Sequence, residues 1–308
     1  MATGPGFQQA RAPRVAAVVP VFRPDLDLVE AVAGTRDQVT AVVLVCDEAP
    51  AGARTETVLE ACRDLGATVL RHDRNRGIAA ALNTGIAHLR RTLLDAGDLV
   101  LTLDQDSVLP RGYVARLTQA LHAPGAGGRP RPGLAAPARV EGVTGRHGAR
   151  EPIQSGLLVR RSVLDDLGGF DEGLFIDGVD TDFVLRARAR GWSCVLVPGV
   201  GLRHRLGRRV HVRWGRVEVP VTVAADTRYY YLARNLLLLL RRHARREPAW
   251  AVRSVAVLVR HLLLTGVLVP GRRRRWLWLA AGLRDGVRGV RGPAPERWSA
   301  QVPSDPSR

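Results

Sequence analysis

Short apolar runs alternate with helical stripes through the first half of the chain. Val15-Ala16-Ala17-Val18-Val19-Pro20-Val21-Phe22 is rich in β-branched residues and closed by Pro24 and Asp25. It predicts a buried parallel strand. Asp25 to Ala33 has helical character, and Val42 to Cys46 repeats the strand signal before Asp47-Glu48. Val58, Ala61, Cys62 and Leu65 recur at helical spacing, with Gly66 behind them as a stop. Thr68 to Arg71 is a third strand. It runs into Arg74-Asn75-Arg76-Gly77, from which Ile78, Leu82, Ile86, Leu89 and Leu93 form another stripe. This rhythm predicts βαβ units.

A fourth apolar run, Asp98 to Leu103, ends in Asp104-Gln105-Asp106-Ser107, and a helix is predicted from about Arg111 to Leu121. From His122 to Pro152 the periodicity fades into Gly, Pro, Arg and Ala, which predicts a loop holding one short strand near Leu134 to Val140. Regular structure resumes at Ile153 to Val159. Ser162 with Asp165 has the pattern of a capping box for a short helix to Leu167. A helix is predicted from Asp180 to Gly191, then strands at Cys194 to Val197 and Val200 to Leu202. The C-terminal third is aromatic, basic and aliphatic: Arg228 to Asn235, Leu236 to Leu240, Ser254 to Pro270, then Arg272 to Trp278. Ser254 to Pro270 is only 17 residues long and carries Arg260 and His261 at its centre, which counts against a single membrane span. Two readings stay open there. The helices lie in a membrane interface with Trp and Arg at the headgroups, or they pack on the fold with a solvated Arg face.

Charge changes the picture more than composition does. The 308 residues carry 46 basic and 29 acidic side chains, a net charge of +17, and every basic residue is Arg. Such a balance points to anionic partners: phosphorylated substrates, lipid headgroups or nucleic acid. Nucleic acid is disfavoured, because the Arg clusters sit beside Leu and Trp in the last third and no recognised nucleic-acid motif is present. Cys46, Cys62 and Cys194 are too few and too scattered for a zinc cluster or a disulfide framework, which fits a reduced cytoplasmic chain. Met1 to Pro13 has no signal-peptide pattern and is expected to be flexible, as is the Pro-rich stretch from Gly292 to Arg308.

The candidate chemistry is acidic. Asp104 and Asp106 end a buried strand, where open α/β sheets bind ligands. If the extended conformation persists, positions i and i+2 face the same way. Two carboxylates that close repel unless a cation or donors lie between them, and a hard divalent ion, Mg²⁺ or Mn²⁺, resolves the repulsion. A polar turn is the plainer alternative. Asp180 and Asp182 fall in the first turn of a predicted helix, where the macrodipole favours the ionised form. Helix stabilisation alone accounts for such a pair, and a general base presented at a pocket mouth also accounts for it.

Taken in order, Val18-Val19-Pro20-Val21, Asn75-Arg76-Gly77, Leu103-Asp104-Gln105-Asp106-Ser107, Gln154-Ser155-Gly156, Leu174 to Asp182 and His204 with Gly207 resemble the motifs of GT-A fold family 2 glycosyltransferases, most of all their bacterial rhamnosyltransferase branch. The resemblance implies a mixed α/β sheet with helices on both faces over residues 14–227, followed by a helical region, 228–291. It implies that Asp47 contacts the nucleotide base, Asp104 the ribose or metal, and Asp106 the cation, with His204 helping to hold metal or diphosphate. Pro20, Val21, Asn75, Gly77 and Gln105 would line the nucleotide sugar. Gln154, Ser155, Gly156, Asp177 and Asp182 would face the acceptor, and Asp180 would be the catalytic base. The implied reaction transfers rhamnose from dTDP-rhamnose to a saccharide or lipid-linked acceptor at the inner face of the plasma membrane; a UDP-hexose donor is the alternative. Two departures stand out: Val179-Asp180 where many members have Glu-Asp, and Cys46-Asp47-Glu48 where Asp-Asn is frequent.

Overall fold

The computed structural model of the chain describes residues 12–95, 97–123, 132–141, 152–203, 208–214, 217–269, 271–296 and 298. The first apolar run is β1 (Val15–Val21), followed by α1 (Asp27–Arg36), β2 (Ala41–Cys46), α2 (Ala53–Asp64), β3 (Thr68–Arg71), α3 (Ile78–Thr92) and β4 (Leu99–Thr102). β1 pairs in parallel with both β2 and β4, and β2 with β3. All four residues of β4 are buried. That accounts for its unbroken apolar character, because a strand covered on both faces has no polar alternation.

After α4 (Tyr113–His122) the sheet becomes mixed. β5 (Pro132–Glu141) lies within the stretch expected to be mostly loop, and it is longer than the pattern suggested. β6 (Leu157–Arg160) runs antiparallel to both β4 and β5. β7 (Ser193–Arg203) is one strand rather than two, and it pairs in parallel with β5 across register shifts. The strand order is β3-β2-β1-β4-β6-β5-β7. A separate antiparallel hairpin, β8 (Arg208–Trp214) with β9 (Val217–Val223), had no counterpart in the sequence reading.

Alternate strand residues face two cores. Ala16, Val18, Val43 and Val100 meet α3, α5 (Arg161–Leu167) and α6 (Val179–Ala189) on one face. Ala17, Leu44, Leu99 and Leu101 meet α1, α2 and α4 on the other. Each such Leu or Val contributes about 1.5–3 kcal/mol of transfer free energy, and together they rigidify the sheet whose C-terminal edge carries the site. α5 starts two residues earlier than the capping box required. Arg160 is its N-cap and makes no side-chain cap bond, so Ser162 lies inside the helix.

Three helices close the chain: α7 (Arg228–His243), α8 (Pro248–Leu268) and α9 (Arg272–Val287). Tyr229, Tyr230 and Tyr231 are buried among Trp278, Ala281 and Trp298. Order also continues beyond Gly292, contrary to expectation. Tyr231 Oη accepts from Ala294 N at 2.9 Å, and Trp298 Nε1 donates to Asp285 at 2.7 Å. A buried Asp that needs a donor explains why this Pro-rich segment is held.

Candidate active site

The site lies where β1, β2 and β4 end and α6 begins. β4 stops at Thr102, and Asp104 to Asp106 form a turn in which Ser107 N donates to Asp104 O at 3.2 Å. The extended geometry that would have aligned Asp104 and Asp106 is therefore absent. A second segment braces the turn instead. Asp104 N donates to Ser155 Oγ at 3.0 Å, and the Ser107 and Ser155 hydroxyls lie 2.6 Å apart. Both carboxylates stay partly exposed.

Several residues expected to touch substrate are consumed by the fold. Asp47 is buried; its Oδ1 accepts from Arg76 N (2.8 Å) and pairs with His72 Nδ1 (2.6 Å), and its Oδ2 accepts from Gly77 N (2.7 Å). Its carboxylate shapes the loop 75–77, so the structure gives it a positioning role. Asn75 Oδ1 accepts from the same Gly77 N at 3.1 Å. Gly77 has φ +89°, and a Cβ there would lie 2.5 Å from Phe175 O, so only Gly fits. Gln105 spends its amide on Phe22, accepting from N at 2.9 Å and donating to O at 3.2 Å, which straps the turn to the end of β1 beside Pro20 and Val21. Gly156 donates to Thr102 O at 2.8 Å, and its carbonyl accepts from Tyr113 Oη at 2.8 Å.

The second acidic cluster divides by environment. Asp180, second residue of α6, accepts from Thr181 N at 2.8 Å and from the Gln154 backbone N–H. It is partly exposed at its rim, yet desolvation outweighs these donors and raises its pKa above the ordinary aspartate range. Asp182 goes the other way. It is completely buried, and burial alone would raise its pKa; His243, Arg186 and Arg242 outweigh that and hold it at about 2. Arg186 Nε lies 2.6 Å away, His243 Nε2 2.9 Å and Arg242 3.0 Å. Asp182 therefore joins α6 to α7 and does not face an acceptor. Helix position alone gave both carboxylates the same macrodipole, and only burial and partners separate them.

Because Asp182 is ionised in the fold with a pKa of about 2 against 3.8 for the unfolded chain, it contributes about 2 kcal/mol above pH 4. That contribution should disappear as pH falls from 4 towards 2. Asp182→Ala should lower stability by about 2–4 kcal/mol, since it removes the buried carboxylate that Arg186, Arg242 and buried His243 share, and thermal melts of the variant should lose this acid-side dependence.

Three residues outside the expected set, Arg228, Arg234 and Asn235, complete the site around the expected Asp177. Asp177, at φ +64°, is ion-paired with Arg228, whose Nε lies 3.1 Å from its Oδ2. Against burial, the charges of Asp104 and Asp180 add to that of Asp177 in raising the pKa of the Arg228 guanidinium. The loop before α6 is strained: Phe175 also has a positive φ, +66°. Asn235 on α7 holds it, donating from Nδ2 to Leu174 O (3.0 Å), Ile176 O (2.7 Å) and Asp177 O (2.7 Å). Arg234 Nη2 adds a bond to Leu174 O at 2.8 Å. The C-terminal helices are thus part of the site's scaffold. The adjacent Arg234-Asn235 pair was visible in the sequence, but nothing local says which carbonyls it reaches.

A cleft and an unpartnered buried donor are the features left for substrate. A 350 Å³ cleft beyond β1 and β2 is lined by Arg23, Pro24, Asp25, Glu48, Gly52, Arg54 and Thr55. Glu48, whose Oε2 accepts from Thr55 at 2.5 Å, faces the cleft that Asp47 turns away from. Near Asp180, Gln154 is buried and its Nε2 has no protein partner. Its backbone is fully engaged, with O accepting from Thr102 Oγ1 at 2.6 Å. An unsatisfied donor in such a place suits a ligand oxygen.

Residues 16–132, which contain β1 through the Asp104–Asp106 turn, match the family Glycosyl transferase family 2. That stretch is a glycosyl transferase family 2 domain. As a glycosyltransferase the chain is 26% identical to "dTDP-rhamnosyl transferase RfbF" of Shigella flexneri over 71% of its own length and 78% of that protein's. Over 39% of its length it is 32% identical to the N-acetylglucosaminyl-diphospho-decaprenol L-rhamnosyltransferase of Mycobacterium tuberculosis, a match spanning 36% of that protein. Among solved structures, GalNAc-T7 with UDP, GalNAc and Mn²⁺ overlaps 62% of this transferase and 44% of its own chain, at 13% identity and a TM-score of 0.46. Among the transferase's described residues, no three His, Cys, Asp or Glu side chains gather as a metal cluster. His204 lies outside the described residues.

Proposed function

We propose that the transferase moves rhamnose from dTDP-rhamnose, with inversion, to a saccharide or lipid-linked acceptor in cell-surface polysaccharide synthesis. The observation that carries the chemistry is the placement of Asp180 in the first turn of α6, held by Thr181 N and the Gln154 N–H just after the Asp177–Arg228 pair, where desolvation raises its pKa. Environments that drive neighbouring carboxylates apart mark acid–base roles. The sugar rests on the rhamnosyl relatives, above all the one matched over 71% of the chain.

In this reading the nucleoside lies in the cleft beyond β1 and β2, with Glu48, Arg54 and Thr55 near its base. Asp180 takes the proton of the acceptor hydroxyl as that oxygen attacks the anomeric carbon opposite the departing diphosphate. Gln154 Nε2 offers its unused donor to a substrate oxygen. Mg²⁺ or Mn²⁺ suits the donor set, because such ions bind through one or two carboxylates plus substrate phosphates. Asp104 and Asp106 would hold it, with His204 as a further candidate. When bound, the ion neutralises charge on the leaving diphosphate.

A donor panel tests the sugar. With Mg²⁺ or Mn²⁺ present, dTDP-rhamnose should give the largest nucleotide release and the largest rise in melting temperature. Preference for a UDP-hexose would remove rhamnose and leave the family assignment intact.

A further inference from the structure

α8 is long and apolar enough to cross a bilayer, yet it is tied to the folded body at both ends. Near its start Trp250 and Ala251 are buried in the main core. Near its end Leu262 packs on the tyrosine cluster of α7, the His261 ring stacks on Tyr229 at 5.7 Å, and the carbonyl of Thr265 accepts from buried Arg275 at 2.9 Å. A helix fixed at both ends along a domain lies on that domain and cannot also span.

Its outer face is unpartnered. Val252, Val255, Ala256, Val259 and Leu263 are exposed, and their spacing of i, i+3, i+4, i+7 and i+11 puts them on one stripe. Val252 at one end of the stripe is 72% exposed and Leu263 at the other 58%. α9 repeats the device with Trp276, Ala280, Leu283 and Val287, also exposed at i, i+4, i+7 and i+11. The stripes meet. Gly266, three residues past Leu263 on the same face, lies under the Trp276 ring, where a Cβ would come within 2.6 Å of it.

Charge selects the occupant. Between Pro248 and Val287 there are seven Arg and one acid, Asp285, and that acid is completely buried. Arg253, Arg260, Arg272, Arg273 and Arg284 are exposed on these two helices. A second copy docked face to face would bring Arg flanks together with no exposed acid on either helix to meet them. An anionic bilayer offers both a hydrocarbon boundary for the stripes and phosphate for the flanks.

We infer that α8 and α9 form a membrane-docking face that lies in the headgroup region of an anionic lipid surface. This does not rest on the sugar or on the metal. Its strength comes from apolar burial at about 25 cal/mol per Å² together with screened attraction to each Arg.

The test is co-sedimentation of the full chain with vesicles of phosphatidylcholine alone and of phosphatidylcholine with phosphatidylglycerol. Binding should require the anionic lipid and weaken as salt rises. Val259→Glu combined with Leu263→Glu should reduce partitioning by about tenfold or more, with the melting temperature and turnover of a water-soluble acceptor unchanged. Arg260→Gln with Arg272→Gln and Arg273→Gln should weaken it while flattening its salt dependence. Three results would overturn the inference: no preference for anionic vesicles, association that resists alkaline carbonate as a spanning helix does, or a concentration-dependent dimer that the glutamate variant dissociates. Loss of transfer with vesicle binding intact would count against the catalytic reading instead.

Discussion

Asp180→Asn should lower the turnover of sugar transfer by about 10²–10⁴, the range lost with a positioned general base, while donor affinity stays near wild type. The substitution keeps the shape of the side chain and its capacity to accept from Thr181 N and the Gln154 N–H. What it removes is the ability to take a proton. It should not unfold the protein, because burial penalises the ionised carboxylate and Asn escapes that penalty. The wild-type pH profile supplies a second readout. With the pKa raised in the folded protein, the base is protonated and inactive below that pKa, so kcat/KM should fall on its acidic limb at a pH above the ordinary aspartate value of 3.8. The comparison should use donor release with acceptor present, alongside donor affinity by calorimetry. Wild-type turnover in the Asn variant would end the base assignment.

Asp106→Ala should abolish the gain in donor affinity that Mg²⁺ or Mn²⁺ confers, about a 100-fold loss or roughly 3 kcal/mol. Asp106 belongs to a turn that is braced without it: Ser155 holds Asp104 N, and Gln105 grips Phe22. The variant should therefore melt close to wild type. Calorimetric titration of dTDP-rhamnose with and without the ion separates the outcomes, since metal-free affinity should change little. An undiminished metal effect would move the cation to other residues.

The strands that build the sheet edge were legible because burial on both faces imposes continuous apolar runs, as in Leu99 to Thr102. The long stretch around β5 was less legible: its pairing partners, β6 and β7, are remote in sequence, and Ala and Pro carry weak strand preference. The resemblance likewise placed a family 2 transferase, since its motifs are local and ordered along the chain. Roles within the motifs were another matter. Asp47 and Gln105 look like open polar groups until their partners, backbone groups 29 to 83 residues away, are in place. Asp182 looks like a twin of Asp180 until α7 brings His243 and Arg242 against it.

By itself, then, the sequence determined the alternation of strands and helices, the acidic turn at the end of β4 and the acidic start of α6, because these depend on spacing and local patterning. Only the tertiary structure set Asp180, desolvated at the start of α6, apart from Asp182, which holds the fold. It closed α7 over the strained loop through Asn235 and buried Asp182 among cations. It left Asp180 desolvated and turned one stripe each of α8 and α9 outward. Those outcomes depend on desolvation and on partners distant in the chain, and neither is written in the neighbours of a single residue.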